Sequence, residues 1–420
     1  MTLGTGRASR PGQESRAHHT LVRYLRETGV LTPDWAEAFR AVPRARFLPD
    51  LFWAYDMETG RSRPLCRSTD AGGWERAAYD DVPLVVQWDD GRHTGVEPGR
   101  VGTSSATMPS VVAAMLGDLA VADGMRVLEI GTGTGWNAGL LAHRLGAGRV
   151  VSVEIDPAVA ARATDALRRT GPGPGAVEVA EGDGRAGHPG RAPYDRVIVT
   201  AGARAVSPHW TAQTRPGGIV LAPWGTHYSN QDALVRLTVG PDGRASGPFL
   251  RMVEFMKLRD QRLDWSRFRH HVQEFPGDAE ESRTTVTLPE PGGRYATSAF
   301  VVGLCVPDCA HVVNRSADGT ARAWFLDLRS RSWAAVTLGC DTGPGCDTGP
   351  GGDTGLGGDT GLSTETPFGA VHQSGPRRRG GAPPARSGGA RRDPSAPVCR
   401  RRGGGPRQRG GARRDRPRPG

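Results

Sequence analysis

Four short runs rich in β-branched residues limit the fold of this chain more than any other feature: RVLEI (126–130), RVVSVEI (149–155), YDRVIVT (194–200) and GGIVLAP (217–223). Each has the length of a strand and stays apolar on both faces, the pattern of strands that are covered on two sides. The segments between them are long enough for helices, which a parallel sheet needs to carry the chain back to the same edge. The spacing therefore predicts an α/β domain built on a parallel sheet, placed at 116–240.

The flanks read differently. After a disordered 1–19, residues 20–42 carry helical spacing, with Leu21, Tyr24 and Leu25 followed by Trp35, Ala38 and Phe39 behind a Thr32-Pro33 start. A helical amino-terminal unit, expected to bind the acceptor, spans 20–115. Within it DVPLVVQW (81–88) is a β-rich run ending at Asp90-Gly91, and Pro109 opens an apolar-periodic helix, SVVAAMLGDLAV. Across 241–338, LRMVEFMKLRD reads as a helix or strand, and TTVTLPE, YATSAFVVGLCV and ARAWFLDL as alternating strands, an accessory α+β region.

From Cys340 the chain repeats CDTGPG, CDTGPG, GDTGLG and GDTGLS. That composition cannot bury a core, so 339–368 is expected to be a flexible spacer. The net charge of +10 is a local matter: residues 369–420 hold 15 arginines against 2 acidic residues, a charge of +13 that leaves −3 for the rest. This tail is expected to be disordered, and without aromatic side chains to stack on bases it would touch polyanions only non-specifically. Its residues, nearly all from GC-rich codons, also fit a shifted reading frame near Arg377. No run approaches the roughly 18 apolar residues of a membrane span. No apolar region of a signal peptide follows the first arginines, and six cysteines are too few for a disulfide framework. A cytoplasmic enzyme without a membrane partner is expected. Cys305, Cys309 and His311 lack the second pair that would complete a tetrahedral site, so no metal is expected.

The segment Val127-Leu-Glu-Ile-Gly-Thr-Gly-Thr-Gly-Trp-Asn137 carries the chemistry. A strand runs through Gly131, Thr132, Gly133 and Gly135 into a helix, and the glycines let the backbone approach a ligand where side chains would clash. The spacing is not that of a dinucleotide loop, and no Walker lysine follows. The next strand ends at Glu154, about 20 residues on, where a carboxylate can accept both ribose hydroxyl hydrogens. A third strand, VEVAE, leads to Asp183 and Gly184, at an edge where an adenine amino group can be bound. Glu129 in the first strand favours a cationic ligand. S-adenosylmethionine meets all of these expectations.

On AVPRARFLP (41–49), a hydroxyl-rich loop before PSVVAAM (109–115), VLEIGTGTGWNAGLLA, VVSVEID, EGDGR, APYDRVIVTAGA and RPGGIVLAPWG, the chain resembles the protein-L-isoaspartate O-methyltransferases over residues 20 to about 225. The order QWDDG (87–91), VGTSSATMPS, VLEIGTGTGWNA and FMKLRDQR (255–262) is similar to an actinobacterial branch found beside ATP-grasp enzymes that tailor ribosomal peptides. The resemblance implies a Rossmann-like, class I S-adenosylmethionine-dependent sheet. It also implies methyl transfer to an Asp or isoaspartyl carboxylate of a protein or precursor peptide, leading to succinimide and isoaspartate. Where the family reads Ser-x-Pro, this chain has Thr107-Met108-Pro109.

An acceptor carboxylate of pKa about 4 is already ionised at neutral pH, so the reaction needs placement rather than a strong base. The hydroxyls of Ser104, Ser105 and above all Thr107 are expected to hold one carboxylate oxygen while the other attacks. Capping the helix at Pro109 is the competing use for one of them. Two rival readings are a nucleic-acid methyltransferase using the basic tail, opposed by the lack of a (D/N)PPY-type motif, and a catalytically silent S-adenosylmethionine-binding module. Intact Gly131, Gly133, Gly135, Glu154 and Asp183 oppose the second.

Overall fold

The computed structural model describes residues 16–170, 175–263, 270–275, 279–284, 297–315, 321–338 and 369–374. The first fifteen residues, most of TTVTLPE, the hexapeptide repeat and the arginine-rich tail beyond Ser374 lie outside the described residues.

The amino-terminal unit opens with α1 (Arg16–Glu27) and α2 (Pro33–Ala41), whose apolar rows Leu21, Val22, Leu25 and Trp35, Ala38, Phe39 are buried. Pro33 stands in the first turn, where its missing N–H has no intrahelical partner to lose. This unit also holds an antiparallel sheet that the periodicity does not reveal. Strands β1 (Leu51–Tyr55), β2 (Ser62–Cys66), β3 (Leu84–Trp88) and β4 (Gly102–Ala106) lie in the order β2-β1-β3-β4, with α3 (Ala71–Ala78) between β2 and β3. LFWAY and SRPLC are too short and too irregular in burial to show a two-residue period. The stretch expected to be a hydroxyl-rich loop is instead the edge strand β4, paired with β3 through an irregular register. Pro109 opens α4 (Pro109–Leu119) as its sequence predicts.

The central sheet comprises β5 (Val127–Ile130), β6 (Val150–Glu154), β7 (Val177–Glu181), β8 (Tyr194–Val199), β9 (Thr214–Gly225), β10 (Gln231–Val239), β11 (Ala245–Ser246) and β12 (Phe249–Glu254). Helices α5 (Trp136–Leu145), α6 (Pro157–Thr170) and α7 (Pro208–Ala212) connect the parallel strands. The order is β11-β10-β9-β8-β5-β6-β7, with β12 added on β10. Strands β5 to β9 pair in parallel, whereas β10 runs antiparallel to β9, β11 and β12. Successive residues point to opposite faces, so Val127 and Val150 join the core formed with α1, α2, α4 and α5. Leu128, Ile130, Val151 and Val153 join the core on the other face. Chain order reverses between β5 and β8, and in open α/β sheets the ligand crevice lies at the carboxyl ends of the strands at such a point. The sheet passes the expected boundary at 240, because β12 belongs to it.

The accessory part is a five-stranded antiparallel sheet of β13 (Glu280–Thr284), β14 (Cys309–Arg315), β15 (Ala321–Asp327), β16 (Trp333–Leu338) and β17 (Gly369–Ser374), ordered β13-β17-β16-β15-β14. Two expectations change here. YATSAFVVGLCV, expected to be a strand, contains the helix α8 (Ser298–Cys305). Gly303 lets this helix approach the β9–β10 loop, since a Cβ there would stand 2.0 Å from Thr226 Oγ1. Packing overrides the strand preference of its valines. Also, Gly369–Ser374 pairs with β13 and β16, so the segment expected to be disordered begins with a strand.

His311 packs in a triangle of rings with Tyr228 and Phe325, their centroids 4.8 and 4.9 Å away, and burial pushes its imidazole down to about 4. Among the described residues no cluster of three metal-ligating side chains occurs, and no helix is long and apolar enough to cross a membrane.

Candidate active site

The glycine loop after β5 is tied to β6 at three points. Gly131 N–H donates to Val153 O at 2.8 Å, Gly133 N–H donates to Glu154 Oε2 at 3.0 Å, and the hydroxyls of Thr132 and Ser152 are 2.6 Å apart. Gly133 has φ of 55°, a left-handed conformation in which a side chain is strained. A Cβ on it would lie 3.4 Å from Ser105 O and 3.9 Å from Ser104 Oγ. The cofactor-type loop and the hydroxyl strand β4 are therefore in direct contact. Gly135 caps α5, and its absent side chain lets Ala163 and Leu167 of α6 pack against the turn.

Glu154 ends β6 with its other oxygen accepting from Asp156 N–H at 3.1 Å. The chain after β7 reaches Asp183 and Gly184 beside it, with Gly182 N–H donating to Glu154 O. Gly184 is required by packing, because a Cβ would meet Ile130 Cγ2 at 2.5 Å. Asp183, expected to bind an adenine amino group, accepts from Arg185 N–H at 2.9 Å and from its guanidinium at 3.1 and 3.2 Å. Burial raises the Asp183 carboxyl, but these hydrogen bonds outweigh it and hold the group below the usual carboxylate range.

Glu129 departs further from its expected role. It exposes no surface and is held by Asn137 Nδ2 at 2.6 Å and by the Ser152 hydroxyl, so it braces β5 against α5 and β6 instead of facing a ligand. Burial pushes its carboxyl up to about 7, opposed by the Ser152 and Asn137 hydrogen bonds and assisted by nearby Glu154. With a folded value above the ordinary 4.5, its contribution to stability is complete below pH 4.5 and is lost as pH rises through 7. Glu129→Gln should flatten that fall, which thermal unfolding at stepped pH would record. Parallel pH curves for the two proteins would refute the assignment.

Thr107 follows β4 and precedes α4. The helix N-cap is Met108 and no side chain caps it, while Ser110 N–H donates to Asp81 at 2.8 Å, so capping does not consume the three hydroxyls. The backbone at Thr107 is fixed by a residue that the sequence reading left without a role. Arg44, 1% exposed, donates to the carbonyls of Ala78, Asp80, Val82, Ala106 and Thr107 over 2.9–3.3 Å, and its guanidinium lies 5.7 Å from the Trp136 ring at the start of α5. Burial pushes it down to about 9, so it remains a cation at neutral pH. The only advance sign was an arginine inside the apolar run of AVPRARFLP.

A glycine loop at the switch point, an acidic residue ending the second strand and a third acidic turn beside it fit the ribose and adenine of S-adenosylmethionine. This fold and site define a class I S-adenosylmethionine-dependent methyltransferase. Residues 69–263 match the family model described as Protein-L-isoaspartate(D-aspartate) O-methyltransferase (PCMT). The chain is 44% identical over 238 residues to the protein-L-isoaspartate O-methyltransferase of Anaeromyxobacter dehalogenans strain 2CP-1, covering 57% of this chain and 95% of that one. It is 41% identical over 214 residues to the Pyrococcus horikoshii enzyme of the same name, covering 51% and 80%. A solved structure titled protein-L-isoaspartate O-methyltransferase aligns over 86% of this chain and 88% of its own, with 23% identity and a TM-score of 0.46. The chain belongs to the protein-L-isoaspartate O-methyltransferase family. Its reaction is accordingly methyl transfer from S-adenosylmethionine to a protein carboxyl group.

Proposed function

We propose that the acceptor is the side-chain carboxylate of an Asp or isoaspartyl residue in a protein or a ribosomally made precursor peptide, held by Ser104, Ser105 and Thr107. The observation that supports this reading is the approach of β4 to the glycine loop at Gly133, where the Ser104 hydroxyl and the Ser105 carbonyl border the loop. S-adenosylmethionine supplies a methyl group already activated on a sulfonium. The chain's own task is then to hold an ionised carboxylate with one oxygen engaged and the other presented, and to exclude water. In the ester product the following main-chain amide nitrogen can displace methanol and close a five-membered succinimide, which opens to aspartate or isoaspartate. A cytoplasmic, reducing setting suits the free thiols of Cys66, Cys305 and Cys309.

Mass spectrometry after incubation with S-adenosylmethionine and matched peptides bearing Asp or isoaspartate tests the reading. A base-labile methyl ester is expected, decaying to a species about 18 Da lighter than the starting acid, because methylation followed by loss of methanol removes one water overall. A stable N-methyl product, or no transfer to either peptide type or to a precursor peptide, would sink it. On the cofactor side we propose Glu154 for the ribose hydroxyls and Asp183 for the adenine edge. Glu154→Ala should weaken S-adenosylhomocysteine binding by about 1.5–3 kcal/mol in calorimetry, the scale of hydrogen bonds to a charged group. Unchanged affinity in a folded variant would place the ribose elsewhere.

A further inference from the structure

The segment Lys257–Arg262 crosses the carboxyl edge of the central sheet and contacts the chain that follows β6, β7, β8 and β9. Lys257 Nζ donates to the buried Asp232 at 2.6 Å, and Gln261 Oε1 accepts from Arg204 N–H at 2.6 Å, in the chain that follows β8. Asp260 pairs with Arg185 at 2.6 Å, and Arg185 in turn holds Asp183. Arg259 spans the widest gap. Its Nη2 donates to Asp156 Oδ2 at 3.0 Å, and its Nε forms an ion pair at 3.2 Å with Asp90 Oδ1, which accepts a hydrogen bond from Arg262 at 2.8 Å.

These contacts close a ring. Asp156 accepts from Gln87 Nε2 at 3.2 Å, Gln87 Oε1 accepts from Thr103 Oγ1 at 2.9 Å, Thr103 Oγ1 accepts from Asp90 N–H at 3.1 Å, and Asp90 returns through Arg259 to Asp156. One side of the ring is Asp156, whose N–H holds Glu154. The other side is the β3–β4 connection, and Thr103 immediately precedes Ser104. Asp89 and Asp90 both have left-handed backbones, with φ of 53° and 54°. Such strain in non-glycine residues persists only where surrounding contacts over-determine it, and it gathers at functional sites. Here the contacts are Arg259, Arg262 and Thr103 on Asp90, and the N–H groups of Arg100 and Val101 on Asp89 at 3.0 and 2.9 Å.

We infer that Arg259 is a positioning residue for methyl transfer: through Asp156 and Asp90 it fixes the hydroxyl strand against the ribose end of the cofactor crevice and couples the two halves of the site. The acceptor half of this inference rests on the reading of β4 given above; the coupling itself does not. The test is therefore made on the cofactor side, by titrating S-adenosylhomocysteine into the full chain and into Arg259→Met, Asp90→Asn and the double variant. Methionine keeps the length and apolar stem of the side chain, and asparagine tolerates the left-handed backbone, so both folds should survive. Arg259→Met should weaken binding by roughly 3- to 30-fold, the usual range for coupling residues. Asp90→Asn should weaken it in the same direction although Asp90 belongs to the acceptor hairpin, and the double variant should be no weaker than Arg259→Met alone. Wild-type affinity in Asp90→Asn, fully additive losses, or a lower Tm in Arg259→Met without any change in affinity would each overturn the coupling. Absence of methyl transfer to every carboxyl peptide would instead defeat the proposed acceptor while leaving this titration decisive.

Discussion

Turnover of Thr107→Val should fall by about 100-fold or more while Thr107→Ser keeps much of its activity, the scale expected for removing one preorganised donor. Valine matches threonine in shape, and the carbonyl of residue 107 stays tied to Arg44, so the variant removes a hydroxyl without freeing the backbone. S-adenosylhomocysteine affinity should hardly move in either variant if, as proposed, Thr107 holds the acceptor and not the cofactor. Single-turnover methyl transfer to a saturating peptide is the measurement. Full activity in Thr107→Val would hand the orienting role to Ser104 or Ser105.

The largest loss of stability should come from Arg44→Met. Five carbonyls from two stretches of chain share one guanidinium, and each buried carbonyl left without a donor costs about 1–3 kcal/mol. Relief from burying a cation offsets part of this, so a net loss of at least about 3 kcal/mol in denaturant unfolding is the expected outcome. Arg44→Lys should fall between, since an ammonium is a point donor that cannot fan out to five acceptors. An unfolding midpoint within error of the parent protein for Arg44→Met would show that water or backbone movement replaces the guanidinium.

What could be read in advance was what is local. Gly131, Gly133 and Gly135 between a β-branched run and a helix, and Glu154 at the end of the next run, announce themselves by spacing, and the structure brings them together at the switch point. Strands β5, β6, β8 and β9 were legible because burial on two faces leaves continuous apolar runs. Glu129 was misjudged because a strand's alternation does not say which face meets the ligand. Arg44, Asp156 and Arg259 carry no signal in sequence, since charged residues are mostly exposed and only distant partners bury these. Their distant partners lie 34 to 169 residues away, beyond any spacing rule. Strands β1 and β2 stayed hidden because pairing with each other, rather than their own composition, makes them strands.

Because β10 runs antiparallel and β12 returns beside it, the chain is delivered back to the carboxyl edge of the sheet only after residue 254. The contact between Arg262 and Asp90 consequently closes a loop of 172 residues. Contacts of that separation carry their entropic cost before they yield any enthalpy, so they form late on the route to the native state. During synthesis at about 5–20 residues per second, the glycine loop and the parallel strands β5 to β8 emerge several seconds before the segment that holds the β3–β4 hairpin. A nascent chain would therefore pass through a stage in which the glycine loop is already on its strand while the β3–β4 hairpin still lacks Arg259 and Arg262, and the fastening of that hairpin would come among the last events in its maturation.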